Sequence, residues 1–154
     1  MSYAGFDVSN LEDDQLRDLL VKVSLEWENR FAVAPSITSA ISEYDAAKLA
    51  GTSLRVGKGR KASDTAVTKG FDFRKDLSRY QVKSNRPSGK PGSRVTLVGK
   101  AKTFDWDKLI WILYDRKYNI EEAWEFPRNK YRELFEFKKR LSPDDMRKGI
   151  KFHP

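Results

Sequence analysis

The chain is organised around one stretch, Gly70-Phe71-Asp72-Phe73-Arg74-Lys75-Asp76-Leu77-Ser78-Arg79-Tyr80-Gln81-Val82-Lys83-Ser84-Asn85-Arg86. Two apolar-flanked pieces, residues 71–73 and 80–82, are separated by a short charged turn, and this pattern predicts a β-hairpin. Side chains alternate between the two faces of a strand, so Gln81 and Lys83 should point to the same face. The hairpin can therefore present polar groups on one face and apolar groups on the other.

The core-facing side of this hairpin is expected to carry its large apolar side chains, Phe71, Phe73, Tyr80 and Val82. Asp72, Gln81 and Lys83 then converge on the second face. An acid, an amide oxygen and an ammonium on a rigid hairpin suit a hard-metal site with a cation beside it. The alternative is an ordinary cross-strand ion pair between Asp72 and Lys83, which would be worth about 1 kcal/mol or less.

The composition indicates one folded domain with a basic surface. At 154 residues the chain is long enough to bury a sizeable core, and we expect a single domain over residues 1–154. Its core should span about 36–140, after a helix over about 10–30 and before a basic tail over 142–154. Thirty Lys and Arg against 22 Asp and Glu give a net charge of +8. Such a charge attracts polyanions, most commonly nucleic acid, although a merely basic surface is the alternative.

Several kinds of chemistry are excluded by residue type. The chain has no cysteine, which excludes disulfides and thiolate metal sites, and its one histidine is His153. Catalysis must therefore use carboxylates, lysine, hydroxyls or a hard cation bound by oxygen. The first residues lack a basic region followed by an apolar run, so we expect no signal peptide, and the sequence contains no apolar run of about 18 residues. We expect a soluble, intracellular, cytoplasmic protein with no membrane partner and no small-molecule cofactor.

Two helices are predicted before the hairpin. In the first, over about 10–30, Ser9 is the expected N-cap of a capping box with Glu12. Its helically spaced apolar residues predict a packing face: Leu16, Leu19, Leu20, Val23 and Trp27. The second helix should begin near Ser36 and end at Gly51. Glu43 lies in its middle, and a solvated glutamate is the ordinary interpretation of that position.

Two basic segments suit contact with nucleic-acid phosphates. The first is the loop over residues 51–69, with Lys58, Arg60 and Lys61. The second, rich in proline and glycine, follows the hairpin and carries Ser84, Asn85, Arg86, Lys90 and Arg94. A solvated charge run is the alternative interpretation of the first loop.

The rest of the chain predicts further strands and helices. Residues 95–98, 109–114 and 119–126 should form strands, the second of them central because it is continuously apolar. A helix is expected over 128–140, and a last short helix after its N-cap Ser142. The fold class is α/β, bordering on α+β, with a mixed sheet flanked by helices. Four tryptophans raise base stacking as a possibility, but their positions favour the core for Trp27, Trp106, Trp111 and Trp124.

Three motifs together carry a family resemblance. They are Glu43-Tyr44-Asp45-Ala46-Ala47-Lys48-Leu49-Ala50-Gly51, Gly70-Phe71-Asp72-Phe73 and Tyr80-Gln81-Val82-Lys83. A helical glutamate ahead of a hairpin with an acid and an acid-or-Gln-x-Lys resembles the PD-(D/E)XK nuclease superfamily, in its restriction-endonuclease-like and Holliday-junction-resolvase-like branches. The resemblance covers about residues 36–86, roughly half of the chain. Phe71 stands where the motif has its proline, and Gln81 where the second acid is usual.

The resemblance implies a restriction-endonuclease-like fold and a Mg²⁺-dependent endonuclease that hydrolyses phosphodiester bonds in DNA, with Mn²⁺ able to substitute. Glu43, Asp72 and Gln81 would hold the metal, and Lys83 would hold the attacking water or stabilise the phosphorus centre. A restriction-like or structure-specific role is implied. Cutting both strands of a duplex makes a homodimer the natural form. The alternative is a catalytically inactive nucleic-acid-binding module on the same fold.

Overall fold

The computed structural model describes residues 2, 3, 5–55, 70–87 and 91–152. The chain divides into two compact units, Met1–Ile37 and Thr38–Pro154. In the first unit, strands β1 (Ser2–Tyr3) and β2 (Phe6–Asp7) form a small antiparallel pair. A 3₁₀ turn and the long helix α1 (Asp13–Phe31) follow.

Helix α1 begins later than the sequence predicts. Its N-cap is Glu12, whose backbone N–H donates to the Gln15 side chain at 2.9 Å. The predicted N-cap, Ser9, is wrong because Ser9 lies in the preceding 3₁₀ turn. There its N–H and its hydroxyl both donate to the Asp7 carboxylate, at 3.0 and 2.7 Å. Asp7 therefore binds the serine that was expected to cap the helix.

The predicted packing face of α1 is largely exposed. Relative exposure is 48% for Leu16, 40% for Leu20, 55% for Val23 and 52% for Trp27. The prediction that Trp27 belongs to the core is wrong. The buried residues of α1 are Val21 and Ser24, which lie on another side of the helix.

The second unit is built on a five-stranded mixed sheet in the order β3-β4-β5-β6-β7. The central pair, β4 and β5, is parallel, and the other three pairs are antiparallel. The strands are β3 (Phe73–Lys75), β4 (Ser78–Asn85), β5 (Lys108–Tyr114), β6 (Ile120–Pro127) and β7 (Ile150–Lys151). With its flanking helices this is the predicted mixed α/β architecture.

Strand β5 is the centre of the core, as its continuous apolar sequence predicts. Every residue from Leu109 to Tyr114 is buried. One face of β5 packs into an apolar cluster that includes Leu109, Trp111, Leu113, Phe126, Tyr131, Phe135 and Met146. Residues on the opposite face of the strand, such as Tyr114, meet helix α2 (Thr38–Leu49). Burial on both faces confirms the central position of this strand.

Helix α2 is terminated by the predicted glycine, which follows its last turn, and is tied to three strands, β3, β4 and β5. Gly51 has φ +83°, a left-handed conformation that glycine adopts without strain. The buried Asp45 carboxylate accepts from the Tyr114 hydroxyl at 2.6 Å. Lys75 Nζ donates to the Ala50 carbonyl at 2.6 Å and so satisfies the end of the helix. The helix therefore has a defined position over the sheet.

The C-terminal elements match the prediction in part. Residues 95–98 form no strand; only Val98 makes an isolated bridge, to Leu141. Helix α3 (Arg128–Phe135) is shorter than predicted, and Lys100 Nζ satisfies the carbonyls of Glu136 and Lys138 beyond its end. Helix α4 (Pro143–Met146) has Ser142 as N-cap, as expected, whereas β7 was not predicted. Among the described residues, no helix has the length and apolar character required to span a membrane.

Candidate active site

The β3–β4 hairpin is rigidly built. The two strands are joined by a two-residue turn in which Asp76 has φ +53°. Phe73 and Tyr80 are cross-strand partners, and their rings stack with centroids 4.7 Å apart. The bond from Lys75 to the end of α2 anchors the first strand. The hairpin predicted from the sequence is confirmed, and it can hold side chains in fixed positions.

Asp72 lies in a β-bulge at the start of the hairpin. Its N–H donates to the Tyr80 carbonyl at 2.7 Å although Phe73 is the partner of Tyr80, so two residues stand opposite one. Phe71 packs into the apolar cluster around β5, and Phe73 does not. The prediction that these two phenylalanines share a face is therefore wrong, although both are buried. The sequence signal for the bulge is Gly70, which has φ +73°.

The Asp72 carboxylate is held at the edge of β4. It is 8% exposed, and its Oδ2 accepts from the Val82 backbone N–H at 2.6 Å. Strand amides point along the sheet plane, so this carboxylate lies beside the strand, past the last residue pair with β3. In the described part of the chain Oδ1 has no hydrogen-bond partner, and Asp72 makes no ion pair with Lys83. The alternative of a cross-strand ion pair is therefore wrong.

Gln81 and Lys83 stand on either side of the residue that binds Asp72. Both are half-buried and point to the face of β4 that carries their β5 neighbours Leu109 and Trp111. Across residues 5–55, 70–87 and 91–152, no hydrogen bond or ion pair holds the Lys83 ammonium. The structure thus brings an acid, an amide and an uncommitted ammonium to one short length of strand.

Glu43 approaches from the opposite face of the sheet. It is a half-buried residue of α2, and its neighbour Ser42 accepts from the Ser84 hydroxyl at 2.9 Å. Ser84 alternates with Lys83 and so faces the other way. A site that includes Glu43 must therefore straddle the open edge of β4, where the Asp72 carboxylate lies.

These residues can hold a hard cation only with help from water. Within the described ranges, no three His, Cys, Asp or Glu residues are grouped so that they could bind a metal ion. Asp72 offers its Oδ1, which has no partner in the described part of the chain, and Gln81 offers an amide oxygen. Mg²⁺ is commonly bound by one or two carboxylates and keeps several waters, so this donor set fits Mg²⁺ without a third acid.

Most of the predicted phosphate-binding residues after the hairpin have intramolecular partners. Strand β4 continues to Asn85, two residues beyond the predicted end of regular structure. Asn85 accepts from the Trp111 indole at 2.9 Å and donates to the Leu97 carbonyl at 3.1 Å. Arg86 donates to the Arg116 carbonyl and lies 4.8 Å over the Tyr118 ring. Ser84 binds α2 as described above, so these side chains hold the fold together.

The other predicted contact residues divide into two groups. Four lie outside the described residues: Lys58, Arg60, Lys61 and Lys90. Arg94 is exposed and lines a surface cavity of about 570 Å³. The same cavity is lined by Glu121, Glu122 and Asp144. Glu122 and Asp144 form ion pairs with Arg147 at 2.7 and 2.6 Å. Three acids against two arginines make this cavity a poor surface for a phosphate backbone.

An acid–cation pair fixes the start of β4. The Asp107 carboxylate accepts from the Arg79 backbone N–H at 2.8 Å and from its guanidinium at 3.2 Å. These hydrogen bonds lower the pKa of Asp107 below its ordinary value. Arg79 is thus neutralised locally, which leaves Lys83 as the uncommitted cation of this strand among the described residues.

The sequence matches none of the models of known protein families and none of the curated proteins with which it was compared.

Proposed function

We propose that this chain is a Mg²⁺-dependent endodeoxyribonuclease with a restriction-endonuclease-like fold, in which Mn²⁺ can replace Mg²⁺. The observation that carries the proposal is the Asp72 carboxylate, held by the amide that lies between Gln81 and Lys83. A buried acid next to a strand whose lysine is uncommitted among the described residues is unusual for a purely structural hairpin. The order of α2, the β3–β4 hairpin and a parallel β5 supports the proposed fold.

In this proposal the acids and the amide have separate roles. Asp72 is the principal metal ligand, because the Val82 amide orients one oxygen and leaves the other for the cation. Gln81 contributes a neutral oxygen, and Glu43 binds from the α2 side, directly or through water. When bound, the cation neutralises charge on the scissile phosphate and lowers the pKa of a bound water.

Lys83 supplies the positive charge that the reaction needs. Water attacks phosphorus and gives up a proton to solvent as the new P–O bond forms, the bond to the leaving sugar oxygen breaks, and that oxygen takes up a proton from solvent. The Lys83 ammonium donates hydrogen bonds to the attacking water or to the phosphoryl oxygens, whose negative charge increases in the transition state. Its half-buried position strengthens these interactions relative to those in bulk water.

The test is cleavage of supercoiled plasmid by the purified chain with Mg²⁺, with Mn²⁺ and with a chelator. We expect metal-dependent nicking or linearisation that falls by 100-fold or more in Asp72→Asn and Lys83→Ala, the size typical of losing a transition-state interaction. Lys102→Ala removes an exposed loop lysine and is the matched control. Cleavage that survives both site substitutions would show that the assignment of the site is wrong.

A second function is favoured by one residue. Gln81 is uncharged, whereas PD-(D/E)XK nucleases usually have an acid at this position. Among the described residues, the proposed metal site therefore has at most two carboxylates, those of Asp72 and Glu43. A descendant that binds DNA without cutting it would keep the basic surface and lose metal-dependent turnover. Binding of a labelled duplex without cleavage under any of these metal conditions would favour this module over the nuclease.

A further inference from the structure

The exposed apolar residues of α1 form one continuous stripe. Leu16, Leu20, Val23, Trp27 and Phe31 are separated by four, three, four and four residues, which places them on the same face of a helix. All five are 40–57% exposed, and the rings of Trp27 and Phe31 are 4.7 Å apart. The first four follow the alternating spacing of a coiled-coil seam.

The stripe is large enough to form an interface. The Trp27 and Phe31 side chains, each about half exposed, leave roughly 200 Å² of apolar surface open per chain, at about 150–250 Å² for a whole aromatic side chain, and the three aliphatic side chains add to it. Contiguous exposed apolar patches of a few hundred Å² are often functional. Two copies face to face would bury both stripes, an area at the lower end of the range for a specific interface.

We propose that α1 is a self-association surface, on which α1 of a second copy of this chain packs in the antiparallel direction. The spacing of the stripe fits a two-fold axis between residues 21 and 22. Around that axis Leu20 meets Val23 of the second copy, and Leu16 meets Trp27 of the second copy. The four residues from Leu16 to Trp27 are thus matched in apolar layers, as antiparallel seams require, while Phe31 lies beyond them, opposite Glu12 of the second copy.

Charge favours the antiparallel direction. The first turn of α1 carries Asp13 and Asp14 after Glu12, whereas its last turn carries Arg30. The same two-fold axis places Asp13 opposite Arg30 of the second copy and aligns the helix dipoles head to tail. A parallel pair would instead bring the two acidic turns together. The inference rests on α1 alone and holds whether or not the chain cuts DNA.

The first test is the mass in solution by light scattering or sedimentation. We expect the full chain to have twice the monomer mass of 17.8 kDa, with dissociation at low concentration. Val23→Glu places a charge in the centre of the stripe and should give a monomer. Asn29→Glu adds the same charge at an exposed position on the far side of α1 and should leave the dimer unchanged. A monomeric parent, or a dimer that survives Val23→Glu, overturns the proposal.

The second test reports the direction of the helices. The chain has no cysteine, so single cysteines can be introduced cleanly. Under mild oxidation, an equimolar mixture of Leu20→Cys and Val23→Cys should form a disulfide between the two variants. Each variant alone should crosslink poorly, because its two cysteines lie in different layers. Efficient crosslinking within each single variant would show a parallel pair and overturn the antiparallel arrangement.

Discussion

Among individual residues, Asp72 combines a structural contact with the proposed catalytic one. Its Oδ2 satisfies the Val82 N–H at a strand edge that β3 leaves open. Asp72→Ala leaves that buried amide unpaired and should lower the free energy of unfolding by about 1–3 kcal/mol. Asp72→Asn retains an acceptor oxygen, so it should lower the free energy of unfolding by less than about 1 kcal/mol, whereas cleavage should still be lost. Urea denaturation beside the plasmid assay separates the two effects.

An equal loss of stability in Asp72→Asn and Asp72→Ala would contradict this division. It would mean that the carboxylate charge, rather than the hydrogen bond to Val82, stabilises the hairpin. A comparison at matched denaturation slopes ensures that both variants unfold from the same native state.

At Gln81 a substitution is predicted to increase the affinity of the proposed site for Mg²⁺. Gln81→Glu adds a charged oxygen ligand to the proposed site, and hard cations favour charged oxygens. We expect the Mg²⁺ concentration for half-maximal cleavage to fall by on the order of tenfold, the scale of affinity changes around metal sites. Titration of the cleavage rate with Mg²⁺ measures this. Gln15→Glu, an exposed glutamine in α1, is the control for added charge, and equal behaviour of the two variants would count against Gln81 as a ligand.

On the scale of elements, helix α4 depends on a buried acid. Asp145 is 4% exposed and accepts from the Ser142 N–H at 2.9 Å and from Lys138 Nζ at 2.7 Å. Burial alone would raise the pKa of Asp145, but these hydrogen bonds outweigh it and hold the pKa below its ordinary value. The ionised carboxylate therefore stabilises the reciprocal cap of this short helix.

The pH dependence follows from that lowered pKa. Because the folded pKa lies below the unfolded one, the stabilisation is complete above about pH 4 and is lost as the pH falls through the folded value. Asp145→Asn should cost about 1–2 kcal/mol at neutral pH, and the difference from the parent should disappear in acid. Urea melts across this range measure it. Asp144→Asn, at an exposed ion pair, should have little effect at any pH.

The elements differ in how much of them could be predicted from sequence. The hairpin, β5, β6 and α2 follow from local patterns: alternation, a continuous apolar run, or helical spacing ended by Gly51. Residues 95–98 have a strand-like composition, but among the described residues no neighbouring strand completes a ladder beyond the bridge at Val98. A strand exists only where a partner is within reach, and the local sequence does not contain that information.

On the scale of the whole molecule, the net charge of +8 would govern the proposed association with DNA. Each cation that neutralises a phosphate releases a counterion, so the affinity for duplex DNA should fall linearly with salt on a double-logarithmic plot. We expect a loss of roughly tenfold or more between low and physiological salt. Fluorescence anisotropy with a labelled duplex measures the slope. An affinity independent of salt would contradict electrostatic binding through the basic segments.

The dimer proposed from α1 adds a check on that slope. Two copies present twice the number of cations, so the parent should have a steeper salt dependence than the monomeric Val23→Glu variant. Asn29→Glu should keep the slope of the parent, because it changes the charge by the same amount without disturbing the stripe.

The sequence by itself determined the mixed α/β class, the hairpin, the central strand and the absence of thiol chemistry, because each depends on residue type or on near neighbours along the chain. Only the tertiary structure decided where the polar side chains of residues 70–86 lie. The short β3 leaves an edge of β4 open, and a bulge turns Asp72 into that edge. It also decided that β4 runs on through Asn85 and that the apolar stripe of α1 faces outward. Each of these outcomes depends on which groups distant in sequence compete for the same hydrogen bond or the same buried surface.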